Sequence, residues 1–177
     1  MLIIYGDIFI FWKVILNEKM IEKEELLSLI PHRGRMLLLD GVKWYNLEEQ
    51  SLEAEYHITE ECFFYDSVAA GVPAWVGFEF IAQAVSALTG IGYRERGEPL
   101  KLGFILGVSQ VQIKHPFFKT GSIIVINVKE MERMDSLSVF NGEIFFEDEK
   151  VLEGKLTVME VDDEKAQAMK EGSVAIE

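Results

Sequence analysis

Residues 71–88, GVPAWVGFEFIAQAVSAL, are apolar almost throughout and contain one carboxylate, Glu79, and one amide, Gln83. The i, i+4 spacing puts these two on one face of a helix. A helix that is apolar nearly all round is buried on all sides. Pro73 suits its first turn, where the missing N–H costs nothing. The segment reads as a helix from Pro73 to about Leu88, closed by Gly90 and Gly92. A carboxylate inside it is costly unless it is paired, neutralised or used. Desolvation alone predicts a raised pKa for Glu79.

The rest of the chain surrounds this helix with strands. Residues 20–30 read as a short amphipathic helix that stops before Pro31. Strands are expected at 35–45, with an irregularity at Gly41, and at 51–58, followed by a turn-rich loop at 59–71. After a polar linker, YRERGEPL, four strands follow at 101–114, 122–131, 136–147 and 150–160, the last two joined at Asp148-Glu149. One buried helix with five or six long strands indicates an α+β fold, a curved antiparallel sheet wrapped round the helix. Such a sheet leaves edges to cover, so dimerisation is expected.

A length of 177 residues sets one domain, here 20–161. Residues 1–19 read as an extension with Met20 an alternative start, or as an extra strand or dimer arm, and 162–177 as a flexible acidic tail. The 2–16 run lacks the basic lead and cleavage site of a secretory signal. A net charge of -13 argues against nucleic acid and anionic membrane as partners. Cys62 is the single cysteine, which excludes an internal disulfide and a cysteine-based metal site and fits a cytoplasmic location. No nucleotide-type glycine loop is present, and neither a cofactor nor a metal is expected.

PHRGRMLLLDGV (31–42), FF (63–64), VPAWVGFEFIAQA (72–84) and GFILGVSQVQIKHPFFKTGS (103–122) follow one another in a familiar order and spacing. Over roughly residues 22–160 the chain resembles the bacterial 3-hydroxyacyl-[acyl-carrier-protein] dehydratases. The central wording is closest to a divergent branch associated with aryl-polyene-type pigments and unusual fatty acids. The resemblance implies the hotdog fold, a dehydratase activity, and Glu79 as the catalytic carboxylate with Gln83 as the glutamine that follows it. The family's catalytic histidine precedes the helix in a Gly-His-Phe-Pro motif. Here that loop reads YDSVAAG, and the position holds Tyr65, Asp66 or Ser67 depending on the gap.

Dehydration requires a polarised thioester carbonyl, a base for the C2 proton and an acid for the departing hydroxyl. Backbone N–H groups at a helix N-terminus supply the first, and Gly71 with Val72 is the expected place, because glycine admits close approach. A turn glycine is the plainer reading of Gly71. A neutral Glu79 would serve as the acid; a structural glutamate is the alternative. Gln83 would orient Glu79 or bind substrate, or be an ordinary core amide. Candidates for the base are Asp66, which could instead cap its turn, His32, whose imidazole is chemically suited, Ser67, a poor base that could instead bind substrate, and His57, read as a surface residue at a strand end. Asp66 is slightly preferred. Trp75, Phe78, Phe80 and Phe104 are read as tunnel wall or as plain core.

Arg33, Arg35, Arg94, Arg96, Lys101, Lys114 and Lys119 fall near the expected tunnel mouth, where a basic rim would steer an acidic acyl carrier protein. The partner expected is therefore an acyl-carrier-protein or coenzyme A thioester, with a homodimer, a higher oligomer or a heterodimer with another hotdog chain. A hotdog thioesterase that uses Glu79 to activate water, and a non-catalytic partner subunit, are the competing functions.

Overall fold

A computed structural model describes residues 21–161. The expectations for 1–19 and for the tail at 162–177 lie outside the described residues. Strand β1 (Ile21–Glu22) leads into a one-turn helix, α1 (Lys23–Leu26). Then come β2 (Gly41–Asn46), β3 (Ser51–His57), β4 (Gly71–Pro73), the long helix α2 (Gly77–Arg96), β5 (Leu102–Ile113), β6 (Phe117–Lys119), β7 (Ile123–Met134), β8 (Leu137–Phe146) and β9 (Glu149–Val161). Seven strands form one antiparallel sheet in the order β1-β2-β3-β7-β8-β9-β5, and β4 pairs with β6 separately. The architecture is α+β, as the sequence indicates.

Helix α2 lies on the sheet against β3, β7, β8 and β9. The facing positions alternate as a half-buried sheet requires. Leu52, Ala54 and Tyr56 on β3, Ile124, Ile126 and Val128 on β7, and Phe140 and Ile144 on β8 are buried beneath it. Phe80, Ile81, Ala84 and Leu88 supply the helix side of the core. Contact is close because Gly142 stands under Ile81: a Cβ there would come within 2.4 Å of the Ile81 side chain. Gly154 does the same for Phe78, at 2.7 Å. Phe80 is fully buried between Tyr56 and Phe118, with ring centroids 5.2 and 5.9 Å away, so it belongs to the core.

Several elements differ from the sequence expectation. Helix α2 continues past Leu88 to Arg96 and ends at Gly97, whose φ of 66° is left-handed. Glu98 N–H bonds the Tyr93 carbonyl and Gly97 N–H the Arg94 carbonyl, the pairing of a Schellman closure. Gly90 does not stop the helix; a Cβ there would strike the Leu29 carbonyl oxygen at 2.3 Å, so it is a packing glycine. The expected 20–30 helix shrinks to one turn because Ile21 and Glu22 pair with Val42 and Gly41. The expected 35–45 strand starts only at Gly41. Before it, a 3-10 turn (Gly34–Met36) leads into Leu37, Leu38 and Leu39, all buried. Glu147 and Asp148, both with positive φ, form the β8–β9 turn, one residue earlier than expected.

Candidate active site

The first turn of α2 carries Glu79, and the segment between α1 and β2 carries His32 beside it. Nε2 of His32 lies 3.3 Å from Oε1 of Glu79. Gln83, one turn along the helix and fully buried, donates from Nε2 to the same Oε1 at 2.9 Å and to the Met36 carbonyl at 2.8 Å. Its Oε1 accepts from Leu38 N–H at 2.8 Å. One amide thus ties the 32–38 segment to the helix and holds the carboxylate at the junction. Oε2 of Glu79 has no hydrogen-bond partner among the described residues. The side chains of His32 and Glu79 keep 27% and 30% exposure, so a small group reaches them from solvent.

Glu79 does not have the raised pKa that burial alone predicts. Burial does push it up and is the largest single influence. The hydrogen bonds from His32 and Gln83, with the charge of a protonated His32, together outweigh it and leave the carboxyl below the ordinary glutamate range. The expectation of a resting neutral acid is corrected on that ground. His32 Nδ1, by contrast, is buried without a hydrogen-bond partner among the described residues.

The other candidates sit elsewhere. Asp66 Oδ1 accepts from Val68 N–H at 2.8 Å and Ala69 N–H at 3.0 Å, the contacts of a side chain capping its own turn. Ser67 is exposed in that turn, and Tyr65 packs against the core. Gly71 is not at the helix start but in β4, and its N–H bonds the Asp66 carbonyl. A Cβ on it would meet the Phe118 carbonyl oxygen at 2.4 Å, so its glycine serves the β4–β6 contact. Val72 is buried opposite Phe118. His57 ends β3, exposed. Trp75 is 62% exposed and meets Phe64 edge-on, Phe78 rests on Gly154, and Phe104 is half-buried on β5.

The basic residues do not gather into one rim. Arg94 pairs with Glu25 and Arg96 with Glu98. Both close the far end of α2, roughly 22 Å along the axis from Glu79. Lys114 pairs with Glu149. Arg33 donates to the Ile30 and His32 carbonyls and Arg35 to those of Glu61 and Cys62, so these two flank the His32 segment. A cleft of about 570 Å³ opens at that far end among Tyr93, Arg133 and Glu160. Another of about 360 Å³ lies beside Arg35, Tyr56 and His57. Glu79 lines neither.

What the sequence did not reveal is the bracing of the site by main chain, at Met36 and Leu38. Backbone partners carry no residue-type signature. The leucine run at 37–39 was the available hint, since three successive buried positions leave main-chain groups to be satisfied from within.

The sequence profile of the ApeP-like family, described as ApeP dehydratase, matches residues 24–170. The 3-hydroxyacyl-[acyl-carrier-protein] dehydratase FabZ of Chlamydia abortus is 32% identical over 112 residues, 62% of this chain and 71% of that one. FabZ of Yersinia enterocolitica is 30% identical over 122 residues, 67% of this chain and 71% of its own length. Among solved structures, the dehydratase heterocomplex ApeI:P from Xenorhabdus doucetiae matches with a TM-score of 0.74 at 23% identity, covering 82% of this chain and 96% of that one. PH1136 from Pyrococcus horikoshii matches with a TM-score of 0.59 at 18% identity, covering 77% and 93%. The structural likenesses speak for the hotdog fold; the profile, spanning most of the chain, speaks for descent. The chain belongs to the ApeP-like family of dehydratases.

Proposed function

We propose that the chain converts 3-hydroxyacyl thioesters, carried on acyl carrier protein, to 2,3-enoyl thioesters in fatty-acid or polyene-type biosynthesis, with Glu79 moving the proton. Membership of a dehydratase family supports the reaction class. The observation that carries the site is the Glu79 carboxylate, anchored through one oxygen and open through the other. His32 is the candidate partner, by proximity. Asp66 is spent on its turn.

Assembly with a second hotdog chain belongs to the same reading. Strand β5 is the last strand of the sheet and 12 residues long, and its outer edge is unpaired among the described residues. Ile105, Leu106, Val108, Val111 and Ile113 are exposed along it. An apolar edge of that length is a template for another strand. The Xenorhabdus relative is a dehydratase heterocomplex, so both a second copy and a related chain fit this edge.

The deciding experiment incubates purified protein with 3-hydroxyacyl-carrier-protein and, separately, the coenzyme A thioester, and identifies products by mass. Loss of one water, abolished in Glu79→Gln, is the expected result. Free thiol with an intact hydroxyacyl group would replace the reading with thioester hydrolysis. Inactivity alone, restored by a second hotdog chain with Glu79 dispensable, would replace it with a non-catalytic subunit.

A further inference from the structure

A row of aromatic rings leads over the surface away from Glu79. Trp75, four residues before it, stands in the 3-10 turn (Ala74–Val76) that opens α2. Its ring meets Phe64 at 6.0 Å between centroids, and Phe64 meets Phe63 at 5.1 Å, both edge-on. The Arg35 guanidinium lies over the outer ring, 5.7 Å from the Phe63 centroid. Phe63 and Trp75 are each more than half exposed. Contiguous exposed rings beside a reactive group mark a binding surface.

Unlike Arg94, Arg96 and Arg133, Arg35 has no carboxylate within ion-pair distance among the described residues. Its Nε and Nη2 reach the Glu61 and Cys62 carbonyls at 3.2 and 3.4 Å, at and beyond the long end of the usual range. The guanidinium also lines the cleft of about 360 Å³. Both carboxylates of that cleft are already engaged. Lys23 Nζ lies 2.6 Å from Asp40, which also accepts from His57 N–H, and the Thr59 hydroxyl bonds Glu61. The row therefore has a guanidinium open to an anion at one end and Glu79 at the other.

We propose that Arg35 binds the phosphate of a phosphopantetheine arm, and that Phe63, Phe64 and Trp75 carry the arm from there to a thioester placed at Glu79. The inference rests on the dehydration reading and names how its substrate is held. The arm is the part that acyl-carrier-protein and coenzyme A thioesters share. It has an anionic phosphate at one end, methyl and methylene groups with two amides between, and the thioester sulfur at the other end. A guanidinium suits the phosphate because it is permanently charged and donates as a fork. Aromatic rings suit the apolar stretch. This is not a basic rim that steers a carrier from a distance: one side chain reads the arm by contact.

The test measures binding to the full chain by calorimetry. Two unreactive acyl thioethers are compared, one on phosphopantetheine and one on pantetheine, so that only the phosphate differs. The wild type should hold the phosphorylated analogue about tenfold tighter, and Arg35→Gln should lose that advantage while binding the pantetheine analogue as before. Phe63→Ala should weaken both analogues alike. In turnover, Arg35→Gln should raise KM about tenfold for both the carrier-bound and the coenzyme A 3-hydroxyacyl thioester, with kcat little changed. A phosphate advantage retained in Arg35→Gln, or an equal loss on both analogues, would overturn the arm assignment. So would a KM effect confined to the carrier-bound substrate, which would place Arg35 against the carrier's protein surface. A wild type that binds the phosphorylated analogue through Arg35 yet forms no enoyl product would end the dehydration reading and leave the arm site standing.

Discussion

Nε2 of His32 lies 3.3 Å from Oε1 of Glu79, one from an irregular segment ahead of the sheet, the other from the first turn of the buried helix. Gln83 bridges the two elements, bonding Glu79 on one side and the Met36 and Leu38 main chain on the other. The consequences extend to stability as well as chemistry.

The depressed pKa of Glu79 links the fold to pH. A carboxyl whose folded value lies below its unfolded one stabilises the native state fully above the unfolded value. That contribution is lost as pH falls through the folded value. Urea midpoints measured from neutral pH into acid should therefore fall more steeply for the wild type than for Glu79→Gln, with the difference confined to the acid side of the ordinary glutamate value. Parallel curves would mean that the His32 and Gln83 contacts do not favour the ionised form.

Gln83→Leu should be the most damaging substitution at the site. Leucine fills a similar volume but leaves the buried Leu38 N–H and the part-buried Met36 carbonyl without partners. The expected cost is about 3 kcal/mol, from two unsatisfied groups at roughly 1–3 kcal/mol each. Chemical denaturation reads it directly. A loss under about 1 kcal/mol would show that water or a shifted backbone replaces the amide.

Asp66→Ala separates a turn cap from a catalytic base. Removing the bonds to Val68 and Ala69 should cost about 1 kcal/mol. Enoyl formation should be unchanged. A drop in turnover of about a hundredfold or more, with the fold intact, would return Asp66 to the chemistry.

Val108→Lys tests the free edge. A lysine on an edge strand opposes the pairing of another chain. Light scattering should show the assembled species reduced to a single chain, with the thermal transition of the fold itself preserved, because Val108 is exposed in the isolated chain. An unchanged mass would place the interface elsewhere.

The sequence by itself determined the frame. The apolar run around Glu79 demanded a buried helix, and the alternating segments after residue 100 demanded long antiparallel strands; β5, β7, β8 and β9 lie within a few residues of their expected bounds. The i, i+4 spacing already put Glu79 and Gln83 in contact. These features are local, set by periodicity and by the cost of exposing apolar surface. Only the tertiary structure decided that Gly90 is a packing position and not a stop, since that depends on the Leu29 carbonyl lying across the helix. Only the tertiary structure placed His32 at the carboxylate, whereas the Asp66 turn cap is a local contact that the sequence already offered as one of two readings. The ionisation of Glu79 was likewise beyond the sequence. Burial pushes it one way and two hydrogen bonds push it the other, and the balance exists only once distant segments meet.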